Sequence, residues 1–197
     1  MAQIVTIAGS PSRTSRSTAV LDYARDVLQQ RQQESLKVDT IRVRDFDPGD
    51  LLFARLDSPA IQAAHRKVAD AHVVIIATPV YKAAYSGVLK SYLDLLPQRA
   101  LADKTVLPIA TGGSLAHLLS IDYALKPVLS ALGAQHILQG LYIQDSQIRV
   151  GQDLPFQLDA EIELRLNRIL DEVVHHLFRF HAPAIADVIS ADAISVG

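Results

Sequence analysis

The densest group of side chains capable of chemistry lies in residues 9–18, which read GSPSRTSRST. The group combines hydroxyls and guanidinium groups, carried by Ser10, Ser12, Thr14, Ser15, Ser17, Thr18, Arg13 and Arg16. Free N–H groups at the start of a helix bind anions, and arginine adds charge-assisted hydrogen bonds. The lysine and second glycine of a triphosphate-binding loop are missing, and so is the pattern G-x-G-x-x-G. The segment favours a site for one terminal phosphate; the alternative is a solvated helix start with surface arginines.

Two further segments have features of ligand-binding loops. In residues 77–87, ATPVYKAAYSG, Pro79 ends a strand pattern and two tyrosines supply aromatic surface. In residues 110–114, ATGGS, two adjacent glycines let a ligand approach the backbone closely. Each segment alone also fits an ordinary turn. Together with residues 9–18, they predict a site for a mononucleotide with a flat ring system.

The elements that must position these loops alternate between strand and helix patterns. Strands are predicted at 3–8, 36–43, 73–77, 105–110 and 135–143, the last interrupted at Gly140, and helices at 17–33, 58–70, 85–96, 114–132 and 159–180. Residues 47–57 are predicted to be an irregular connection. This alternation predicts an α/β fold with a doubly wound five-stranded parallel sheet, flavodoxin-like order 2-1-3-4-5 and helices on both faces. Ligands bind such sheets beyond the carboxyl ends of the strands, where all three loops are expected.

Composition limits the possible classes of protein. The chain has 197 residues, of which 49% are apolar and 20% charged, and its net charge is −2. These values predict a single domain at 1–180, followed by a tail at 181–197 that has no firm pattern. The charge offers no basic face for nucleic acid, and no apolar run reaches the ~20 residues of a membrane span. Cysteine is absent, which excludes disulfides and thiolate metal sites, and no secretory signal pattern is visible, so we expect a cytoplasmic protein.

The predicted helix 114–132 is apolar nearly all round. Since a surface helix needs only one apolar face, the second face predicts a contact with another subunit. Pro127 lies inside this helix and removes one backbone donor, which predicts a kink or a π-bulge. Tyr123 lies one turn earlier. The alternative is a core tyrosine on a proline-kinked helix.

Several single residues each have two interpretations. His117, just past the glycine pair, either reaches the ligand or a neighbouring subunit, or is an ordinary half-buried polar residue. Lys82 either attracts an anionic dinucleotide or is a solvated lysine. His175, His176 and His181 lack the spacing to carboxylates that a metal site needs, so no metal site is predicted.

Three segments resemble the NAD(P)H-dependent FMN reductases of flavodoxin-like fold, over residues 4–147: GSPSRTSRS, TPVYKAAYSGVLKSYLDLLP and ATGGSLAHLLSIDYALKPVLSALGAQ. The resemblance is nearest to the reductases of bacterial two-component alkanesulfonate monooxygenase systems. It implies that the FMN phosphate contacts Ser10, Ser15, Arg16 and Ser17. It implies that the isoalloxazine ring lies on Pro79, Val80 and Tyr81, with Thr111, Gly112 and Gly113 at its pyrimidine side. The remaining cofactor-binding candidates are Ser12, Arg13, Thr18, Lys82, Ser114 and His117.

The resemblance also implies an activity and an assembly. FMN is a substrate or a weakly held cofactor, NADPH is the donor with NADH as an alternative, and reduced FMN passes to a partner monooxygenase. No side chain is assigned a catalytic role, since the flavin itself accepts the hydride. Tyr123 matches a π-helix insertion at a tetramer interface, and Tyr85 and Pro127 are the other interface candidates in a homo-oligomer, either tetramer or dimer.

One departure and two alternatives accompany this interpretation. The family pattern G-S-x-R-x-x-S places an arginine where this chain has Ser12, which leaves open the part that Arg13 takes. The alternatives are an FMN-bound quinone or azo reductase and a non-catalytic flavodoxin-type electron carrier. Near-neutral charge and the second apolar face favour the reductase over the carrier, because electron carriers dock through charged surfaces.

Overall fold

The computed structural model describes residues 2–32, 36–150 and 156–181. The strands are β1 (Ala2–Ala8), β2 (Leu36–Arg42), β3 (Val73–Tyr81), β4 (Ala84–Tyr85), β5 (Thr105–Gly112), β6 (His136–Ile137), β7 (Leu141–Gln144), β8 (Ile148–Arg149) and β9 (Gln157–Leu158). The α-helices are α1 (Arg16–Gln32), α2 (Pro48–Leu52), α3 (Pro59–Asp70), α4 (Gly87–Leu93), α5 (Lys126–Ala131) and α6 (Ala160–His181). Short 3₁₀-helices lie at Val43–Asp45, Leu115–His117 and Asp145–Gln147, and a π-helix at Ile121–Leu125.

The main sheet runs in the order β2-β1-β3-β5-β6, and these neighbours are parallel. β7 also pairs with β5 in parallel, and β4 pairs with β3 in the antiparallel sense. The α/β architecture with a parallel sheet is confirmed. Strand number and order differ from the predicted five and 2-1-3-4-5, because the β4 hairpin adds one strand and the last predicted strand is divided in two.

Pro108 explains why that last strand is divided. The N–H of Leu138 donates to the carbonyl of Val106 at 2.9 Å, so alternate residues of β5, Pro108 among them, direct their backbone groups to this side. Pro108 has no N–H to donate. β6 pairs with the part of β5 before Pro108, and β7 pairs with the part after it. Gly140 has φ +85°, and a Cβ there would lie 2.8 Å from the carbonyl oxygen of Pro108. The predicted interruption at Gly140 is therefore confirmed.

Each central strand buries both faces, as its continuous apolar run predicts. Val5, Ile7, Val74 and Ile76 pack with helices α3, α4 and α5, whereas Ile4, Ala8, Val73, Ile75 and Ala77 pack with α1 and α6. The alternation of side chains along a strand assigns successive residues to the two layers. Among the described residues, no helix is long and apolar enough to cross a membrane.

Three predicted elements need correction. The predicted α-helix 114–132 is a 3₁₀-helix, a π-helix and the short α5, because Pro127 at the start of α5 cannot donate within a continuous ladder. The connection 47–57 contains α2, which starts with Pro48 after the N-cap Asp47. The predicted helix 85–96 is shorter, since Tyr85 belongs to β4. Residue 33 and the tail from residue 182 onward lie outside the described residues.

The hydroxyl of Tyr92 is buried without a hydrogen-bond partner among the described residues. The ring is fully buried and stacks on Phe46, with ring centroids 5.4 Å apart and an interplanar angle of 13°. Burial raises the pKa of Tyr92, so the side chain stays neutral. The ring therefore stabilises the core, while its hydroxyl loses water without gaining a partner.

We predict that Tyr92→Phe increases the free energy of unfolding by about 1 kcal/mol, because it removes an unsatisfied group and keeps the ring. Urea unfolding of both proteins measures the change. Tyr142→Phe is the matched control, since the Tyr142 hydroxyl donates a hydrogen bond to the Ser114 carbonyl; this variant should be less stable than the parent. A Tyr92→Phe protein that loses stability as the control does contradicts the prediction.

Candidate functional site

The loops that follow β1 and β3 are joined directly at the carboxyl edge of the sheet. The Gly9 N–H donates to the Ala77 carbonyl at 2.8 Å. The Ser86 hydroxyl donates to the Gly9 carbonyl, and the Ser86 N–H donates to the Thr78 hydroxyl at 3.0 Å. A Cβ at Gly9 would lie 2.8 Å from the Cβ of Leu89, so only glycine allows this approach. Two of the three predicted ligand loops are therefore fixed to each other.

Hydroxyl groups in residues 10–18 mainly shape the loop itself. The Ser15 hydroxyl caps α1 by accepting the Thr18 N–H at 3.2 Å, and lies 3.0 Å from the Ser17 hydroxyl. The Ser10 hydroxyl accepts the Ser12 N–H at 3.2 Å. Ser10 and Ser17 are buried. Contacts between these hydroxyls and a phosphate stay predictions.

The start of α1 also provides anion-binding groups. The N–H groups of Arg16 and Ser17 open the helix, and among the described residues neither donates a hydrogen bond. The half-exposed guanidinium of Arg16 lies 4.0 Å from the carboxylate of Asp145. At this distance and exposure the ion pair is weak, so Arg16 can turn to another anion at little cost. These groups are able to hold a phosphate.

Asp145 belongs to the site, and the sequence reasoning missed it. It follows β7 and lies 3.9 Å from the position that a Cβ on Gly113 would take. It therefore lies between the start of α1 and the glycine pair after β5. Ligands bind beyond the carboxyl ends of the strands, and this rule selected the loops after the first, third and fourth predicted strands. Applying it to the fifth predicted strand would have found Asp145.

The β3–β4 hairpin presents Tyr81 at its tip. Tyr81 pairs with Ala84, and the two residues between them, Lys82 and Ala83, have φ values of 50° and 65°. This left-handed conformation costs roughly 1–2 kcal/mol for each non-glycine residue. The pairing of Val80 with Tyr85 holds the hairpin in this shape. The tyrosine ring is half exposed beside the sheet edge.

The loop after β5 depends on contact between Tyr142 and the glycine pair. The Tyr142 hydroxyl donates to the Ser114 carbonyl at 2.5 Å. A Cβ at Gly112 would lie 2.6 Å from that hydroxyl oxygen and 3.4 Å from the Cβ of Val80. Burial raises the pKa of Tyr142, and the Asp145 carboxylate raises it further, so the hydroxyl keeps its proton. Gly112 therefore leaves room both for Tyr142 and for a ligand beside Val80.

The structure brings most predicted site residues to one edge. Thr111 is buried in β5 opposite Pro79, which aligns the ends of the two central strands. His117 is half-buried in the 3₁₀-helix beyond the glycine pair. Arg13 lines a cleft on the flank of α1 together with Ser15 and Thr18, whereas Ser10, Arg16 and Ser17 do not line it.

One cavity of the protein lies apart from the site. A cavity of about 450 Å³ lined by His65, Arg99 and Lys104 lies at the amino end of β5, away from the loops. Within the described part of the chain, no group of three or more histidine, aspartate or glutamate residues is arranged to hold a metal ion.

In a doubly wound sheet, mononucleotides bind at the carboxyl edge of the strands. Here that edge carries free N–H groups at the start of α1 and a glycine pair after β5, and these features define a protein of the mononucleotide-binding class. Residues 2–147 match the family model described as NADPH-dependent FMN reductase. The chain is 50% identical over 193 residues to the FMN reductase (NADPH) of Pseudomonas putida KT2440. The aligned residues cover 98% of this chain and 96% of that protein. This chain is 49% identical over 179 residues to the FMN reductase (NADPH) of Escherichia coli K12, covering 90% and 91%.

Structural similarity agrees with these sequence matches. The apo structure of an NADH:FMN oxidoreductase, EmoB, superposes with a TM-score of 0.80 and 36% identity, covering 93% of this chain and 92% of that chain. The chain belongs to the NADPH-dependent FMN reductase family and is an FMN oxidoreductase. The likeness also confirms the predicted flavodoxin-like class of the fold.

We predict that Gly112→Ala weakens FMN binding and costs about 1–3 kcal/mol of stability, because the new methyl group overlaps the Tyr142 hydroxyl. In the Tyr142→Phe background the nearest remaining atoms lie 3.4 and 3.5 Å from that methyl group. The loss of stability caused by Gly112→Ala should therefore be clearly smaller in the Tyr142→Phe background. Flavin fluorescence titration and thermal unfolding of the four proteins form a double-mutant cycle.

Gly87→Ala is the matched control for this cycle. An added Cβ at Gly87 has no atom within 4 Å among the described residues, so the substitution should leave FMN binding unchanged. Equal effects of Gly112→Ala in both backgrounds would show that the Tyr142 hydroxyl is not the obstacle.

Proposed function

We propose that this protein reduces FMN with NADPH and releases the reduced flavin to a partner alkanesulfonate monooxygenase. The observation that carries the proposal is the arrangement at the start of α1. Two N–H donors and the Arg16 guanidinium lie within reach of one anion, beside the glycine pair and the Tyr81 hairpin. This arrangement suits a flat ligand with one terminal phosphate.

The phosphate end of FMN is assigned to α1. The N–H groups of Arg16 and Ser17 and the positive end of the helix dipole attract a phosphate, and the arginine side chain adds a charge-assisted hydrogen bond. The carboxylate of Asp145, 4.0 Å from the guanidinium, is a weak partner that Arg16 can leave for the phosphate. The buried hydroxyls of Ser10 and Ser17 shape the loop: Ser10 accepts the Ser12 N–H at 3.2 Å, and Ser17 lies 3.0 Å from the Ser15 hydroxyl.

The ring end is assigned to the edge formed by β3 and β5. Pro79, Val80 and Tyr81 form its floor, and the backbone N–H groups near Gly112 and Gly113 face its polar edge. Bound FMN supplies the chemistry itself, because its N5 atom accepts the hydride from the nicotinamide. The residues of this chain hold and orient the ring, and no side chain has to transfer a proton.

The exposure of the site agrees with a flavin that is released after reduction. The side chain of Arg16 is 47% exposed and Tyr81 is 48% exposed. Ser10 and Ser17 are buried, so the solvent-exposed part of the phosphate position is the Arg16 guanidinium. A cytoplasmic location, where a partner monooxygenase meets the released flavin, completes this proposal.

A homo-oligomer, tetramer or dimer, is the second part of the proposal. Leu115, Leu118, Leu119 and Tyr123 are exposed, and Tyr123 is 79% exposed within the π-helix. Such an apolar group on the surface of a single chain favours a subunit contact. Pro127 is also exposed, while Tyr85 is half-buried in the hairpin beneath this surface.

The activity is tested by mixing the purified protein with NADPH and increasing amounts of FMN. We expect NADPH oxidation that requires added FMN, followed at 340 nm, and sulfonate-dependent oxygen consumption when an alkanesulfonate monooxygenase is added. A quinone or azo dye reduced faster than FMN would favour that alternative reductase. Firmly bound flavin that NADPH does not reduce would identify an electron carrier and contradict the proposal.

We predict that Arg16→Gln weakens FMN binding by about 1.5–3 kcal/mol, because one charge-assisted hydrogen bond to the phosphate is lost. Affinity for riboflavin, which lacks the phosphate, should stay the same. Arg31→Gln is the control, since Arg31 lies at the other end of α1 and pairs with Asp171. An unchanged FMN affinity in Arg16→Gln places the phosphate elsewhere.

We predict that Tyr123→Ala lowers the molecular mass of the assembly in sedimentation velocity, because its exposed ring is removed from the subunit contact. Leu164→Ala is the control, since Leu164 is an exposed apolar residue on α6, away from the π-helix. If Tyr123→Ala keeps the mass of the parent and its flavin affinity, this surface is not the interface.

A further inference from the structure

A cleft of about 210 Å³ runs along the flank of α1, next to the flavin loop. Its polar lining comes from Arg13, Thr14, Ser15, Thr18, Asp22 and Arg42. Ser15, Thr18 and Asp22 are spaced at three and seven residues, so they lie on one side of the helix. The cleft is therefore beside α1, whereas the proposed FMN phosphate position is at its end. Ser15, which caps α1, belongs to the borders of both.

Among the described residues, positive charge exceeds negative charge around this cleft. Arg42 and Arg25 both donate to the Asp22 carboxylate, at 2.9 and 3.1 Å, and Arg25 also pairs with Asp26 at 2.7 Å. Arg13 has no hydrogen bond or ion pair with any other described residue. Four side chains form the paired cluster with no net charge, and Arg13 adds one positive charge.

Asp22 positions Arg42 without using its whole guanidinium group. Both contacts to Asp22, at 2.9 and 3.1 Å, are made by Nη2 alone. The Nε and Nη1 edges of the group are not used by this carboxylate. A guanidinium held in one orientation is better prepared to bind an anion than a mobile one, because less side-chain entropy is lost. Thr14, Ser15 and Thr18 add neutral hydroxyl groups along the same wall.

We infer that this cleft binds the 2′-phosphate of NADPH, with Arg13 and Arg42 as the residues that distinguish NADPH from NADH. The inference rests on the proposed function. NADH lacks this phosphate, which carries between one and two negative charges near neutral pH as other phosphomonoesters do. The cleft, of about 210 Å³, is smaller than the ~300 Å³ from which pockets for whole drug-sized ligands begin. It suits the phosphate group, with the adenosine lying outside.

The position of the cleft also fits a donor that must reach the flavin. Arg13 and Thr14 belong to the loop between Ser10 and Arg16, so a dinucleotide anchored here lies next to the residues assigned to the flavin phosphate. Arg42 ends β2, the strand next to β1, at the same edge of the sheet. Both phosphomonoesters are then bound around the first turn of α1, one at its end and the other on its flank.

The test compares NADPH and NADH at saturating FMN in Arg42→Gln, Arg13→Gln and the parent. We expect the ratio of KM for NADPH to KM for NADH to rise about tenfold in each variant, the loss of one charge-assisted hydrogen bond. The Kd for FMN should not change in Arg42→Gln. Arg25→Gln is the matched control, since Arg25 shares Asp22 but does not line the cleft.

A binding measurement that needs no turnover separates this inference from the proposed function. Calorimetry with adenosine 2′-monophosphate should show binding to the parent and about tenfold weaker binding to Arg13→Gln, while adenosine 5′-monophosphate serves as the comparison ligand. This result can be obtained even if NADPH oxidation with FMN fails. Arg13 is exposed and has no described partner, so its substitution should leave folding intact.

Three outcomes would overturn the inference. Equal rises in KM for both dinucleotides mean that the cleft does not contact the 2′-phosphate. A weaker Kd for FMN in Arg42→Gln means that the cleft belongs to the flavin phosphate site. Unchanged constants in both variants mean that the cluster is a solvated ion-pair network.

Discussion

The buried side chain of Ser86 is the point on which the candidate site depends. Its hydroxyl donates to the Gly9 carbonyl and accepts the N–H of Leu89, and its own N–H donates to Thr78. One residue thereby joins the loop after β1, the end of β3 and the first turn of α4. Its polar groups are shielded from water, so losing any partner would leave an unsatisfied group in the interior. Loops of a sheet edge are usually the variable parts of a fold, and here hydrogen bonding makes two of them a single rigid unit.

Buried and exposed polar groups have different roles within this rigid unit. Buried hydroxyls, such as those of Ser10 and Ser17, are spent on the loop's own geometry, while exposed cations and backbone N–H groups face outward. The composition of the segment predicts that its hydroxyls also contact the ligand, and this stays a prediction, since the Ser10 hydroxyl that accepts the Ser12 N–H keeps its own proton to donate. A hydroxyl has both donor and acceptor capacity and can be satisfied locally, whereas a guanidinium can only donate and often stays available. Residue type alone does not reveal this difference, because it depends on which groups the fold encloses.

Strands and helices with strong periodicity could be predicted from the sequence, and so could the edge at which the loops meet. The continuous apolar runs of β1, β3 and β5 are too short for most helices and fit buried strands best. The β4 hairpin could not be predicted, because tight hairpins of this kind normally need Asn-Gly or a similar pair, and Lys82-Ala83 carries no such signal. The division of residues 114–132 was suggested by Pro127 but not its extent, since a π-helix depends on how the surrounding side chains pack. Asp145 was missed because its loop was not considered.

The outermost strand is divided at Gly140, opposite Pro108 of β5, and this affects how the protein interacts with other copies of itself. An open parallel sheet ends in two strands with unpaired backbone groups, and a long, regular edge can recruit a strand from another molecule. Here one edge consists of a two-residue strand and a four-residue strand separated by residues 138–140. The other edge, β2, carries Lys37, Asp39 and Arg42. A short, broken edge and a charged one both resist strand addition, so this fold is protected against edge-to-edge aggregation.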